Sequence, residues 1–241
     1  MKKNIYVIAH RGASAYAPEN TFPAFELALK MDSCGIETDI HYTKDNVPVL
    51  IHDATVDRTT NGKGRVNDLT LEEIKRLDAG SWFSPEFAGT QIPTLEEFLE
   101  AFGKKVHLVL EIKDEKATRK TFQMVRDLDL LENSTFISFN IKVLKEIITL
   151  EPNANVGFLT SYVDEDLVKM VRNNGIRQIC PYAPSLSDST VEMIRSHQLD
   201  IRVWGVDTED IMERMISLGI YTMTVNFPDK LRDILKRHMI I

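Results

Sequence analysis

Short apolar runs recur along the chain with room for one helix between most of them: NIYVIA, GIETDI, VPVLIH, VHLVLEI, STFISF, NVGFLT, RQICPY, DIRVWGV and YTMTVN. They are rich in branched residues and alternate only partly, the pattern of parallel strands covered on both faces. The intervening segments place apolar residues three or four apart, which predicts one-faced helices over 22–31, 95–102, 117–131, 141–150, 164–174, 187–197, 209–219 and 227–238. Start signals accompany several of them. Asn20, Thr21 and Pro23 open the first, Thr94 precedes two glutamates, and Pro228 lies inside the last.

Strand followed by helix, repeated, predicts a parallel sheet under helices. With GIETDI and VPVLIH sharing the second unit, the chain holds eight strand–helix units, which fits an α/β fold of the (β/α)8 TIM barrel type. A doubly wound open sheet is the alternative; it has fewer strands and often a glycine-rich dinucleotide turn, which this chain lacks. Residues 53–93 break the rhythm with NGKG, DAG, SP and one short helical pattern, LTLEEIKRL. We read them as a small insertion between the second strand and second helix of a single domain spanning 1–241. In a barrel such a βα loop lies on the active face.

Chemistry-bearing residues collect at the carboxyl ends of these strands, the catalytic face of a barrel. His10 and Arg11 end the first. Glu37 and Asp39 lie two apart on the second, so they share a face, and Glu111 and Lys113 repeat that spacing on the third. His52 and Asp53 end VPVLIH. Three desolvated carboxylates repel one another unless a cation lies between them, and oxygen-only ligands favour Mg²⁺, Ca²⁺ or Mn²⁺ over zinc. The plainer reading is a salt-bridge network with Arg11 and Lys113. His10 and His52 are candidates for proton transfer. A dinuclear zinc hydrolase would want His-x-His on the first strand, where this chain has His-Arg. A glycosidase needs two opposed carboxylates rather than three clustered with cations. Metal, cations and two histidines together suit phosphoryl chemistry. Trp204 lines a substrate groove or packs on the barrel rim, and Phe83 packs on the rim. Asp207 and Asn226 orient loops or touch substrate. Gly12 lets the backbone pass close to an anion. Glu19 and Asn20 only fix the first loop.

Composition narrows the class. Hydrophobic residues make up 43% and charged residues 27%, as in soluble globular proteins. The net charge of -7 argues against a nucleic-acid surface. Cys34 and Cys180 have no ligand-like spacing and read as buried free thiols. The first apolar run stops at His10, too soon for a signal sequence, and no run approaches the roughly 18 residues of a membrane span. These features predict a cytoplasmic protein without a transmembrane segment.

HRG with PENT at residues 10–12 and 18–21 is followed by E-x-D at Glu37 to Asp39, VPVLIHDATVDRTTNGKGRV, LTLEEIKRLDAGSWF, IPTLEEFL, LEIK and a late VWGVD. Taken together, over nearly the whole chain, this set resembles the glycerophosphodiester phosphodiesterase family. The resemblance implies a (β/α)8 barrel with a small insertion. It implies hydrolysis of small-molecule glycerophosphodiesters, such as glycerophosphocholine, to glycerol 3-phosphate and an alcohol. It implies Glu37, Asp39 and Glu111 as ligands of a divalent metal, Mg²⁺ or Ca²⁺. It further implies His10 and His52 as the acid/base pair and Arg11 and Lys113 as phosphate-facing cations; we assign His10 as the base and His52 as the acid. Two positions depart from the family pattern. Trp204-Gly205-Val206-Asp207 stands where W-T-V-N is common, and the last strand ends in Thr224-Val225-Asn226-Phe227-Pro228. Asp207 bears on the headgroup rather than on the core chemistry. A lysophospholipase D on the same scaffold would need an apolar groove, for which the Trp82–Phe83–Phe87 region is the candidate. A non-catalytic binding protein fits poorly with two histidines and three carboxylates all intact.

Overall fold

The computed structural model describes residues 6–241, so the first two residues of the NIYVIA run lie outside it. The first half runs β1 (Val7–His10), α1 (Phe22–Lys30), β2 (Gly35–Tyr42), β3 (Pro48–Leu50), α2 (Leu71–Lys75), α3 (Leu95–Phe102), β4 (His107–Ile112), α4 (Thr118–Asp127) and β5 (Ser134–Ser138). Then come α5 (Ile141–Leu150), β6 (Val156–Thr160), α6 (Glu165–Asn173), β7 (Gln178–Pro181), α7 (Asp188–Ser196), β8 (Asp200–Ile201), α8 (Glu209–Ser217), β9 (Met223–Val225) and α9 (Pro228–Arg237). Every helix predicted from the apolar spacing is present. Helix α4 is shorter than the predicted 117–131, because Asp129 takes a left-handed φ of 58° just past its end.

The sheet runs β8-β7-β6-β5-β4-β2-β1-β9 in parallel, and a bridge from Val203 to Met223 closes it. This is the eightfold barrel. Alternation along the strands divides its apolar residues between two cores. Outward residues such as Ala9, Ile36, Leu108, Leu110 and Phe136 pack under the helices against Phe25, Phe98, Phe122 and Ile147. Inward, Ile8, Val109, Ile137, Leu159 and Cys180 fill the barrel beneath Trp204. Two residues before Trp204, Arg202 is only 2% exposed. Its guanidinium donates to Thr224 Oγ1, Gln178 Oε1 and Cys180 Sγ, all neutral partners.

VPVLIH is not a barrel strand. β2 overshoots the barrel rim by His41 and Tyr42, turns, and returns antiparallel as β3, with Ile40 opposite Leu50. The return brings Ile51 N to within 3.0 Å of Asp39 O, so His52 reaches the carboxyl-end face of the barrel by coming back down to it. Residues beyond it pack on β3 through a separate small core of Val49, Ile51, Val56, Val66, Ile74, Ala79 and Ile92. Thr94, the expected start of α3, forms a capping box with Glu97. The first helix differs. Thr21 Oγ1 turns back to Pro18 O and the Asn20 side chain is used elsewhere, so α1 starts without a side-chain cap.

Candidate active site

Period two along β2 and β4 points Glu37, Asp39 and Glu111 into the carboxyl end of the barrel, where each offers an oxygen within 4.8 Å of the others. All three are buried, and Asp39 is fully so. Lys113 Nζ lies 2.7 Å from Glu111 Oε1 and 3.2 Å from Asp39 Oδ1. Arg11 Nε lies 3.1 Å from Asp39 Oδ2. Three carboxylates thus face two fixed cations. Burial, with Asp39 and Glu111 adding to it, pushes Glu37 well above the usual carboxylate range. Burial and then Asp39 raise Glu111 to about 7. Burial works against the Asp39 charge too, but Lys113, Arg11, His52 and a hydrogen bond from Asn20 outweigh it and hold that carboxyl low.

The carboxylate oxygens are not all satisfied. Glu37 Oε1 and Asp39 Oδ1 are buried without a hydrogen-bond partner among the described residues, although Lys113 stands at ion-pair distance from the second. Unpaired buried oxygens and a surplus of negative charge are what a divalent cation relieves, and the all-oxygen donor set suits a hard one. These residues can hold a divalent metal. A salt-bridge network alone answers Asp39 Oδ1 through Lys113 but leaves Glu37 Oε1 without a partner.

The two histidines differ in surroundings. His10 ends β1 with its side chain 27% exposed, and its Nε2 lies 3.9 Å from Glu37 Oε2. Asn226 Oδ1 accepts from both Ser14 Oγ, at 3.1 Å, and His10 Nδ1, at 2.7 Å. The proton of His10 is therefore on Nδ1 and its Nε2 is bare. Burial, helped by Arg11 next to it, lowers the imidazole to about 4, so it is neutral at ordinary pH. His52 Nδ1 instead donates to Asp53 Oδ1 at 2.7 Å. Asp53 is held at about 2, first by its hydrogen bonds from Arg58.

The first loop does more than the sequence indicated. Asn20, with φ 56°, donates from Nδ2 to Asp39 Oδ2 at 2.9 Å, while its Oδ1 accepts from Thr38 Oγ1 at 2.7 Å. Glu19 Oε1 accepts from Arg11 Nη1 at 3.0 Å and from Arg58 Nη2 at 2.8 Å. Arg58 also holds Asp53, through Nε at 2.8 Å. Glu19, Asn20 and Arg58 all stand inside motifs the sequence displays, PENT and DATVDRTT; their partners appear only once β3 has folded back. Gly12 has another reason than an anion. With φ 82°, a Cβ there would lie 2.6 Å from the Ala24 carbonyl carbon, so the glycine admits helix α1.

Trp204 lies across the barrel mouth. Its Nε1 donates to Cys180 O at 3.1 Å, and its ring packs on Tyr182 at 4.8 Å and Phe139 at 5.7 Å. Gly205, where the family pattern has threonine, takes φ 70°, and a Cβ there would strike the Tyr182 ring at 2.2 Å. Asp207 is exposed. Phe83 and Phe87 are turned edge-on to one another, with Trp82 edge-on to Phe83.

Residues 10–230 match the model of the glycerophosphoryl diester phosphodiesterase family. A glycerophosphodiester phosphodiesterase of Caldanaerobacter subterraneus subsp. tengcongensis is 37% identical over 237 residues, covering 96% of this chain and 98% of that protein. One from Bacillus subtilis is 34% identical over 250 residues, covering 93% and 84%. Among solved structures, an Oleispira antarctica phosphodiesterase in complex with the product sn-glycerol-3-phosphate superposes with a TM-score of 0.88 at 27% identity, covering 96% of each chain. Barrel, carboxylate cluster and sequence agree over nearly the whole length, and the chain belongs to the glycerophosphoryl diester phosphodiesterase family.

Proposed function

We propose that this protein hydrolyses glycerophosphodiesters to sn-glycerol 3-phosphate and an alcohol, using one divalent cation, Mg²⁺ or Ca²⁺, held by Glu37, Asp39 and Glu111. The observation that carries this reading is the buried carboxylate triad with an unanswered oxygen, set beside His10 and the Asp53-bound His52. A bound cation supplies Lewis-acid polarisation of the phosphoryl oxygen. Arg11 and Lys113 grip the non-bridging oxygens and stabilise the charge that grows on them. The bare Nε2 of His10 takes the proton of the attacking oxygen, from water or from the neighbouring glycerol hydroxyl. Asp53 takes the Nδ1–H of His52, so the proton that His52 can give to the departing alkoxide sits on Nε2. The ring face of Trp204 walls the carbon skeleton of the substrate, its N–H being used on the backbone.

Residues 1–241 act as one domain in this reading, with 53–93 an insertion tied to the first loop by Arg58 and Glu19. We place the protein in the cytoplasm; both cysteines are free thiols, as a reducing compartment keeps them. Among the described residues no helix is long and apolar enough to cross a membrane. The test is turnover of glycerophosphocholine with and without EDTA, then with Mg²⁺ or Ca²⁺ restored. Hydrolysis that stops in EDTA and returns with the cation is expected; no hydrolysis under any condition overturns the reading.

A further inference from the structure

A cavity of about 420 Å³ opens beside the carboxylate cluster, between the β2 overshoot, the insertion and the loop after β4. It shares Lys113 with the site, so a ligand lying in it is next to the position assigned to the phosphate. Its size is that of an ordinary small-molecule subsite. Its charge is unusual. Arg65 and Lys116 line it together with Asp114 and Glu115. Opposite charges around one cleft ordinarily pair across it. Among the described residues none of these four stands in an ion pair.

Each of the four retains capacity for a ligand. Arg65 makes only a long contact, Nε to Asn67 Oδ1 at 3.4 Å, which leaves the outer edge of its fork free. Glu115 accepts only from the neutral Asn140 amide, at 3.0 Å through Oε2. Asp114 Oδ1 accepts from Lys116 N at 3.0 Å in its own turn. No phenylalanine, tyrosine or tryptophan lines the cleft; the ring that does is the His41 imidazole, whose Nε2 is held by His52 O at 3.1 Å, so the cleft offers no aromatic cage to a quaternary ammonium.

Resting on the diesterase reading above, we propose that this cavity receives the alcohol half of the diester and selects a headgroup bearing both an ammonium and a carboxylate, as serine does. Glu115 and Asp114 take the ammonium. Arg65, with Lys116 beside it, takes the carboxylate, for which a guanidinium fork is shaped. A choline headgroup lacks the donors for the first pair, and a glycerol headgroup uses neither charge.

The test is kcat/KM for the serine, ethanolamine, choline and glycerol diesters, each with saturating Mg²⁺ or Ca²⁺. The serine diester is expected to lead the choline and glycerol diesters by about tenfold or more, the scale of one hydrogen bond to a charged group. In R65Q and K116Q the serine-to-ethanolamine ratio falls, and in R65E it inverts. In E115Q the ethanolamine-to-glycerol ratio falls. Arg65, Lys116 and Glu115 are all exposed, and thermal melts check that each variant remains folded. Four diesters turned over within twofold of one another, or ratios unchanged in R65Q and E115Q, would overturn the inference while leaving the diesterase reading intact. No turnover of any of the four overturns both.

Discussion

Arg58 is the residue whose loss separates positioning from stability most cleanly. It makes four hydrogen bonds of 2.8–3.1 Å to two carboxylates, Glu19 and Asp53. Through Asp53 it fixes His52, and through Glu19 it fixes Arg11. Its side chain is 44% exposed, so water screens these pairs and each contributes at most about 1 kcal/mol. Arg58→Ala should therefore cost about 1–2 kcal/mol of stability, a fall in Tm of roughly 2–8 °C for a domain of this size. Catalysis is more sensitive. Without Arg58 the Asp53 carboxylate is free to swing, His52 loses its fixed ring, and the insertion is untied from the first loop. Misplacing a proton donor by about 1 Å costs on the order of 100-fold, so kcat should fall about 10–100-fold. Arg58→Lys should recover only part, since an ammonium cannot bridge both carboxylates with a planar fork. Steady-state kinetics on glycerophosphocholine beside a thermal melt gives both readings. An Arg58→Ala enzyme with kcat within twofold of the parent would refute the positioning argument, and so would a loss of kcat fully repaired by cooling.

Other expectations follow from the same geometry. His10→Ala and His52→Ala should each lower kcat by about 100-fold or more, measured with the cation saturating; full activity in either breaks the acid/base assignment. Cation binding should tighten as pH rises from about 6 to 8, because Glu111, at about 7, and Glu37, also raised by burial, must ionise to serve as ligands. Calorimetry in two buffers of different ionisation heat detects the protons released; a pH-independent affinity contradicts it. Gly12→Ala should cost about 2–4 kcal/mol by equilibrium unfolding, from the clash with Ala24 at positive φ; a neutral effect would show that α1 can shift at no cost. His107, lowered to about 4 by burial and by Arg202, binds fewer protons folded than unfolded between about 4 and 6.5. Stability should accordingly fall as pH drops through that window, with up to about 3 kcal/mol from this residue. His107→Gln should flatten the slope, and an unchanged slope would assign it to His10 and His41 instead.

The barrel was legible because its signal is long and repeated. Eight helical stretches each present several turns of spacing, and the strand runs between them leave little freedom of topology. The carboxylate triad was legible for a related reason. Glu37 with Asp39, and Glu111 with Lys113, carry their common direction in the i,i+2 step itself. What the chain did not disclose depends on contacts far apart in sequence. VPVLIH has the composition of a barrel strand, and only its pairing with the overshoot of β2 shows that it runs the other way. Asn226 meets His10 across 216 positions, and Arg58 meets Glu19 across 39. Asn20 was read as a helix-start residue because asparagine there is usually one. Its amide is spent instead on orienting Asp39, which a local rule has no means to see.

The seam of the barrel has a dynamic consequence. β2 and β4 pair over six positions, but β8 pairs with β7 over two, and just past its end Trp204 bridges to Tyr182 and Val203 meets β9 through a single bridge. Strand separation under native conditions will begin there, since it breaks the fewest bonds, and amide exchange at Val203 and Thr224 should be the fastest in the barrel wall. Asn226 is the residue after β9, and it is what fixes the proton of His10. Each opening of the seam therefore releases His10 from its tautomer lock while Glu37, Asp39 and Glu111 on β2 and β4 stay in place. If His10 is the base, turnover should fall on warming before the carboxylate cluster or the fold is lost.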